Sequence, residues 1–378
     1  MVERLICVTT RSTVPYENIA LEKFLLDYVR PGRCFLYLWQ NANTVVIGRN
    51  QSALGEVRTA RLEADGGRLA RRLSGGGAVY HDLGNLNFTF VCRREDYDVE
   101  RQTEVILQAV RAFGVPARCT GRNDLVVEAP AAGDVPAAGS APAAGGAPAA
   151  GGVPAAGGKF SGHAYYRTGG ACYHHGTLMV DVDMDALGRY LRPAPDKLAA
   201  KGVQSVRSRV TNLARWGDGL TVQTLACALR EAFGAEYGLP VERVDADDLA
   251  ALGEAAGLSA RAAGEELSAG AARFGSREWL FRDERAFEHR SHARFSWGGA
   301  TLRFALEDGV VSECALDSDG LEADFLAAVP SLLVGCACDA SAAERALLAA
   351  AEDDGQREVA RDVASLLVPP FVSNGGTN

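Results

Sequence analysis

The sequence predicts an α+β fold: a large domain with mixed sheets and flanking helices, then a small α+β C-terminal domain. Three observations predict it. Helical and strand periodicities are interleaved without the regular βαβ alternation of a doubly wound sheet. At 378 residues, the chain has room for roughly two to three units of ~150 residues. Two compositionally loose stretches also interrupt it. The expected layout is a first domain over 1–243 with an Ala/Pro/Gly insertion at 132–158, a linker over 244–272, and a second domain over 273–378.

Glu17 to Val29 places Ile19, Leu21, Phe24, Leu25 and Tyr28 near one helical face. Phe35 to Trp39 and Thr44 to Ile47 read as strands, and Asn87 to Val91 mixes β-branched and aromatic residues as a third. Val105, Ile106, Ala109, Val110 and Phe113 mark a helix stopped by Gly114 and Pro116. Leu125 to Glu128 leads as a strand into the insertion, Thr177 to Val182 follows as another, and Val222 to Phe233 is an amphipathic helix. Within the insertion, Val135 to Gly158 reads as four hexapeptides, VPAAGS, APAAGG, APAAGG and VPAAGG. Nothing there repays the entropy of ordering, so it is expected to be a flexible surface loop. From Val244 to Ala272 the Ala, Gly, Asp and Glu content suits a linker with helical stretches. Trp279-Leu280-Phe281, Phe295 to Gly299 and Leu302 to Phe304 then suggest strands, and Leu321 to Val334 and Ala342 to Leu367 suggest helices.

Composition excludes several classes. Forty-eight acids against 39 bases leave a charge of −9, which argues against a broad nucleic-acid footprint. No apolar run approaches the ~20 residues of a membrane span, and the first residues lack the apolar core of a signal peptide. Nine scattered cysteines fit neither a disulfide framework nor a CxxC zinc site. The expectation is a cytoplasmic protein with reduced thiols.

The segment Arg71-Arg72-Leu73-Ser74-Gly75-Gly76-Gly77-Ala78-Val79-Tyr80-His81-Asp82 is the most informative. Three glycines remove every Cβ, so backbone amides can approach a ligand and form an anion-binding concavity. The arginines before them carry planar donors suited to phosphate. No GK[ST] follows, so this is not a Walker A loop, and it is not a GxGxxG fingerprint. Asn123-Asp124 precedes a strand and reads either as a ligand or Mg²⁺ contact or as an ordinary turn. Lys159 is either solvated or a cation placed between a substrate carboxylate and an α-phosphate. The adjacent His174 and His175 point to opposite faces of an extended chain and make a poor chelate. Lys201 to Leu213 is a short basic stretch, read either as a solvated turn or as the lining of an acidic partner or triphosphate.

Together these stretches resemble the lipoate–protein ligase A family of bacterial type. The resemblance rests on RRLSGGGAVYHDLGNLNFTF at 71–90, GRNDLVVE at 121–128, KFSGHAYYRTGGACYHHGTLMVD at 159–181 and KGVQSVRSRVTNL at 201–213. Weaker support comes from 36–51 and 295–304. It implies an α+β catalytic domain with a small C-terminal domain, and a two-step reaction. Lipoate and ATP, with Mg²⁺, would give lipoyl-AMP and pyrophosphate. The acyl group would then pass to a lysine of an apo lipoyl domain of a 2-oxoacid dehydrogenase E2 subunit or of the glycine cleavage H protein. By position, Lys159 matches the lysine contacting lipoate carboxyl and α-phosphate. Arg72, Gly77, Ala78, Val79, Tyr80, Asn123 and Asp124 match the nucleotide site, with Asp124 near Mg²⁺. Ser74, Gly76, His81, Gly162 and His175 match the lipoyl pocket. A monomer is expected. A rival in the same superfamily would be an acyl transferase working through a cysteine thioester. The stretch Leu191 to Pro195 offers no cysteine for it, but Cys172 lies near the lysine. The other rival is a non-catalytic lipoate-binding protein. The chain departs from the family in its insertion upstream of Lys159 and in the uncharged loop after Tyr166. Closing a longer loop costs only about 0.6 kcal/mol per doubling, so folding should tolerate the first.

Overall fold

β1 (Arg4–Thr9) and β2 (Arg33–Trp39) carry apolar side chains at successive positions, and the alternation of a strand sends them to opposite sides. Leu5, Cys7, Cys34, Leu36 and Leu38 enter one core, while Ile6, Val8, Phe35, Tyr37 and Trp39 enter another. A sheet buried on both faces follows from this pattern. In the computed structural model, which describes residues 1–120, 123–128, 157–192, 210–282 and 287–367, that sheet is the centre of the first domain. Most of the Ala/Pro/Gly insertion, Gly121-Arg122 and the basic residues 201–209 lie outside the described residues.

β3 (Thr44–Ile47), β4 (Arg68–Arg71) and β5 (Val79–His81) form a separate small sheet in the order β4-β3-β5. The large sheet takes up β6 (Asn85–Arg93), β7 (Ala117–Thr120), β8 (Asp124–Val127), β9 (Gly158–Arg167), β10 (Ala171–Met179) and β11 (Val241–Asp245). Its order is β11-β1-β2-β6-β10-β9-β8-β7, parallel at β11, β1 and β2 and antiparallel from β2 onward. Helices Val99–Arg111 and Val222–Tyr237 cover one face, and helix Pro15–Tyr28 covers the other.

Residues 244–272 differ from the expected linker. They finish β11 and form helices Leu249–Ala256 and Ala260–Phe274, whose Leu252, Ala255 and Ala263 are buried in the second core. Asp248 and Ser259 cap them through side-chain bonds to backbone amides. The expected helical stretches are present, and the small residues that suggested a linker serve close helix packing: a Cβ on Gly270 would lie 3.0 Å from Ala20 Cβ on helix Pro15–Tyr28. Trp279-Leu280-Phe281, expected as a strand, belongs to the short helix Arg277–Phe281, capped by Ser276. No helix among the described residues is long and apolar enough to cross a membrane.

β12 (His289–Phe295), β13 (Gly298–Glu307) and β14 (Val310–Ser318) form an antiparallel meander. Helices Ala323–Leu333, Ala340–Leu348 and Asp354–Ala364 cover it, with Leu302, Phe304, Leu326, Val329, Leu347 and Val363 between the layers. The run expected as one helix over 342–367 is two, because Asp353 caps a new start.

Phe35 is fully buried between the large sheet and helix Pro15–Tyr28. Phe35→Ala should therefore cost about 3–5 kcal/mol, read as a lower midpoint in urea unfolding. An unchanged midpoint would show that the second core does not stabilise the sheet.

Candidate active site

The glycine turn joins β4 to β5 across the small sheet. Gly76 sits at φ +89°, a left-handed conformation that a side chain disfavours. Gly75 is constrained from outside: a Cβ there would meet the Gly320 carbonyl oxygen at 2.0 Å. That same oxygen accepts from the Gly76 amide at 3.2 Å, so the C-terminal domain rests directly on the turn. Asn50 strengthens this seam, donating to Ala323 O and accepting from the Ser318 amide, both at 2.8 Å.

Both arginines expected as anion donors bind backbone. Arg71 donates to the carbonyls of Arg49, Gln51 and Leu280, tying β4 to the loop after β3 and to helix Arg277–Phe281. Arg72 donates to Gly75 O and Gly77 O at 2.7 Å each, to Val46 O at 3.2 Å and to Ser74 Oγ at 3.1 Å. Burial pushes its pKa down to about 10, so it remains charged at neutral pH. Arg72 lines the cavity below the turn, and the same guanidinium frames the turn through these hydrogen bonds.

That cavity holds about 410 Å³. It brings together Gly76, Gly77, Ala78, Val79 and His81 from the turn and β5 with Asn123, Asp124, Lys159, Gly162 and His175 from β8–β10. All of these were singled out in the sequence. Ser74 and Tyr80 were too, but neither belongs to the lining. Tyr80 packs with Val45 and Met179, its hydroxyl on Asn43, while Ser74 is fully buried. Sequence reasoning missed Trp39, Asn87 and Thr177, and it missed the wall from the second domain, where Arg294, Trp297, Asp319 and Leu321 contribute. Asn87 had a signal, a polar residue inside an otherwise largely apolar strand run; the structure places it directly opposite Thr177 on the adjacent strand. The second-domain residues had none, because only the docking of Gly320 on Gly75 brings them near.

Several polar atoms around the cavity lack a protein partner. His81 Nε2, Asn87 Nδ2 and Asn123 Oδ1 are buried without a hydrogen bond. Leaving such groups unmet costs about 1–3 kcal/mol each, so their grouping around one cavity marks a place built for a polar ligand. Asn41 Nδ2 lies 3.2 Å from His81 Nδ1. With that nitrogen accepting, the proton of the neutral ring sits on Nε2, making it a donor.

Lys159 opens β9 at a bulge, where Leu125 pairs Ser161 and Val126 pairs Lys159. Phe160 between them is buried in the first core. Lys159 Nζ forms an ion pair with Asp124 Oδ1 at 2.6 Å, both side chains being more than a third exposed. A Cβ on Gly162 would lie 3.1 Å from that Nζ, so the glycine leaves room for the lysine. Exposed pairs of this kind are worth under about 1 kcal/mol, so an incoming anion can take the lysine over. Among the described residues no group of three His, Cys, Asp or Glu could hold a metal. Asp124 fits Mg²⁺ only in the manner of a site that one carboxylate shares with substrate phosphates.

His174 and His175 separate as alternation requires. His175 faces Ser74 and Glu22, while His174 Nε2 meets His163 Nδ1 at 2.9 Å and its Nδ1 faces Gln102 at 3.2 Å. Cys172, the candidate thioester nucleophile, is fully buried opposite Cys92 and does not line the cavity. Burial raises its thiol pKa, the opposite of what a nucleophilic thiolate needs.

Burial, reinforced by the charge of Arg72 for His81 and of Lys159 for His163, lowers both imidazole pKa values from 6.5 to about 3. The unfolded chain therefore takes up protons below pH 6.5 that the folded chain refuses until about pH 3. Stability is present above 6.5 and is lost as pH falls through that window. At pH 5 each ring should cost about 2 kcal/mol relative to neutral pH. Urea unfolding at pH 7 and pH 5 should show this loss, reduced in His81→Gln; an equal loss in that variant would exclude His81 as a contributor.

The model for the lipoyl protein ligase A/B catalytic domain matches residues 14–234, and that for the bacterial lipoate protein ligase C-terminus matches 284–367. Among solved structures, the chain is similar to P. falciparum LipL1 in complex with lipoate, at 21% identity and TM-score 0.73, covering 95% of this chain and 98% of that one. A bipartite lipoate protein ligase from Thermoplasma acidophilum, studied with its E2 lipoyl domain, matches at 23% identity and TM-score 0.55, over 76% of this chain and 100% of that one. A lipoate-protein ligase A bound with ATP matches at 23% and TM-score 0.52, over 74% and 99%. With more than half of its length in the catalytic-domain match, the chain belongs to the lipoyl protein ligase A/B family and carries the C-terminal domain of bacterial lipoate protein ligases behind it.

Proposed function

We propose that this protein activates lipoate with ATP, releasing pyrophosphate, and passes the acyl group from lipoyl-AMP to a lysine of an apo lipoyl domain. The acceptors would be E2 subunits of 2-oxoacid dehydrogenases and the glycine cleavage H protein, in the cytoplasm, with the ligase acting as a monomer. The observation that carries this reading is the juxtaposition of Lys159 with the Cβ-free turn, in a cavity ringed by unpartnered polar atoms.

A carboxylate attacking an α-phosphorus must approach a second anion. Lys159, released from Asp124, would lie between the two and offset their repulsion with a fixed positive charge aimed at the reacting oxygens. The lipoate carboxylate oxygen then bonds to the α-phosphorus as the bond to the pyrophosphate oxygen breaks. Backbone amides of the turn suit the phosphate oxygens, while His81 Nε2 and Asn87 Nδ2 supply neutral donors. Mg²⁺, held by Asp124 and the phosphates, would screen the leaving pyrophosphate. In the second step the acceptor amine bonds to the acyl carbon, and the mixed anhydride breaks to release AMP. The lipoate-bound and ATP-bound relatives support the choice of substrates. Cys172 offers no support to a thioester route, since it lies outside the cavity.

Wild-type protein given lipoate and ATP should release pyrophosphate and then modify an apo lipoyl domain, seen as a mass shift. Lys159→Ala should lower lipoate-dependent pyrophosphate release by roughly a hundredfold or more while circular dichroism stays native. Near-normal release by that variant would remove Lys159 from the chemistry.

A further inference from the structure

A fully buried carboxylate beneath the site is not used by the reaction above. Glu22, on helix Pro15–Tyr28, has no exposed surface. Its Oε1 accepts from Thr89 Oγ1 at 2.8 Å and faces His175 Nδ1 at 2.7 Å, while its Oε2 is buried without a partner. The other ring nitrogen, His175 Nε2, lies 2.8 Å from Ser74 Oγ, and Ser74 Oγ accepts from Arg72 Nε at 3.1 Å. Glu22, His175 and Ser74 copy the connectivity of a serine nucleophile with its base and orienting acid. Ser74 is nevertheless enclosed and outside the cavity lining, and a guanidinium already donates to its oxygen. A nucleophilic role does not fit.

The charges suggest another role. Arg72 is buried, and its hydrogen bonds go to carbonyls and one hydroxyl; among the described residues no carboxylate touches it. Glu22 is buried, and among the described residues its partners are Thr89 and His175, with no arginine or lysine touching it. Isolated buried charges are costly, and here one of each sign stands at either end of a single hydrogen-bonded chain. We infer that Glu22 is a positioning residue: its carboxylate supplies, through His175 and Ser74, the buried counter-charge that keeps Arg72 clamped on the carbonyls of Gly75 and Gly77. In a trans peptide the N–H points opposite to the C=O. Drawing the Gly77 carbonyl onto Arg72 therefore turns the Ala78 amide away from Arg72, and Ala78 lines the cavity. Through three other residues, Glu22 thus sets the face that the turn shows to an anion. The inference rests on the ATP-dependent reading and names which residues tune its nucleotide half.

The test uses the full chain, with pyrophosphate release for the KM of ATP and of lipoate, and thermal unfolding for stability. Glu22→Gln keeps the shape and removes the charge; it should raise the ATP KM roughly tenfold while the lipoate KM stays within about twofold. Ser74→Ala cuts the chain but keeps both charges, and should shift the ATP KM in the same direction. Because a buried pair is tolerated better when both members go than when one is stranded, Glu22→Gln/Arg72→Met should melt above Arg72→Met alone. An unchanged ATP KM in both single variants, or melting losses that simply add, would overturn the inference. If Glu22→Gln does not fold, Ser74→Ala decides. Should wild-type protein release no pyrophosphate, the ligase reading fails, and the melting comparison alone still decides the counter-charge.

Discussion

The site depends on one guanidinium gathering the carbonyls of a loop that has no side chains of its own to hold it. Three consecutive glycines lose more conformational freedom on ordering than any other tripeptide, at roughly 1–2 kcal/mol per residue for backbone alone. No apolar contact from the turn can offset that. Arg72 does so with hydrogen bonds to Gly75 O and Gly77 O, each charge-assisted and worth about 1.5–3 kcal/mol. A lysine could not replace it, because its single ammonium lacks the planar fork that reaches several carbonyls at once. The turn stays Cβ-free and therefore open to a ligand, yet it is not loose.

The large sheet serves the same end by different means. Its central strands are buried on both faces, and several of the polar residues on them lie where the cavity is. Asn87 pairs with Thr177 across β6 and β10, and Gly176 pairs with His163 across β10 and β9. All four line the cavity. Rigid strands hold side chains more closely than loops do, so the neutral donors sit on strands, Asn87 on β6 of the large sheet and His81 on β5 of the small one, while the charged and moveable lysine sits at the bulge that starts β9.

How legible this was in the sequence depended on distance along the chain. Thr44–Ile47 was readable to the residue, and helix Pro15–Tyr28 nearly so, because their patterns are local. The glycine turn stood out through its context of paired arginines before it and His81-Asp82 after it, whereas Lys159 had an ordinary solvated reading and gained its role only from the family resemblance. Ser74 was expected in the pocket wall, yet its hydroxyl is enclosed between Arg72 and His175, which spacing does not reveal; Tyr80 was read for its backbone, and its side chain packs into the core beside the small sheet. Arg72 was read as a phosphate donor, and nothing local shows that Val46, from another strand, and the turn itself also accept from its guanidinium. The segment 244–272 was read from composition, and composition cannot tell alanine in a loop from alanine chosen so that two helices can touch.

The seam between the domains limits what the turn can do. The Gly76 amide already donates to Gly320 O, and an N–H committed to one acceptor has little left for a second. In this arrangement, then, the amides free to meet an anion are not those of the whole turn. The concavity that three glycines suggest in sequence is here shared between a ligand and the second domain. Gly75 explains why the sharing is tight, for its missing Cβ is filled by the Gly320 carbonyl. Glycine at 75 therefore answers to the neighbouring domain and glycine at 76 to backbone conformation, while the cavity is lined by Gly76, Gly77, Ala78 and the strand that follows. A run of identical residues in the sequence thus resolves into three separate physical demands.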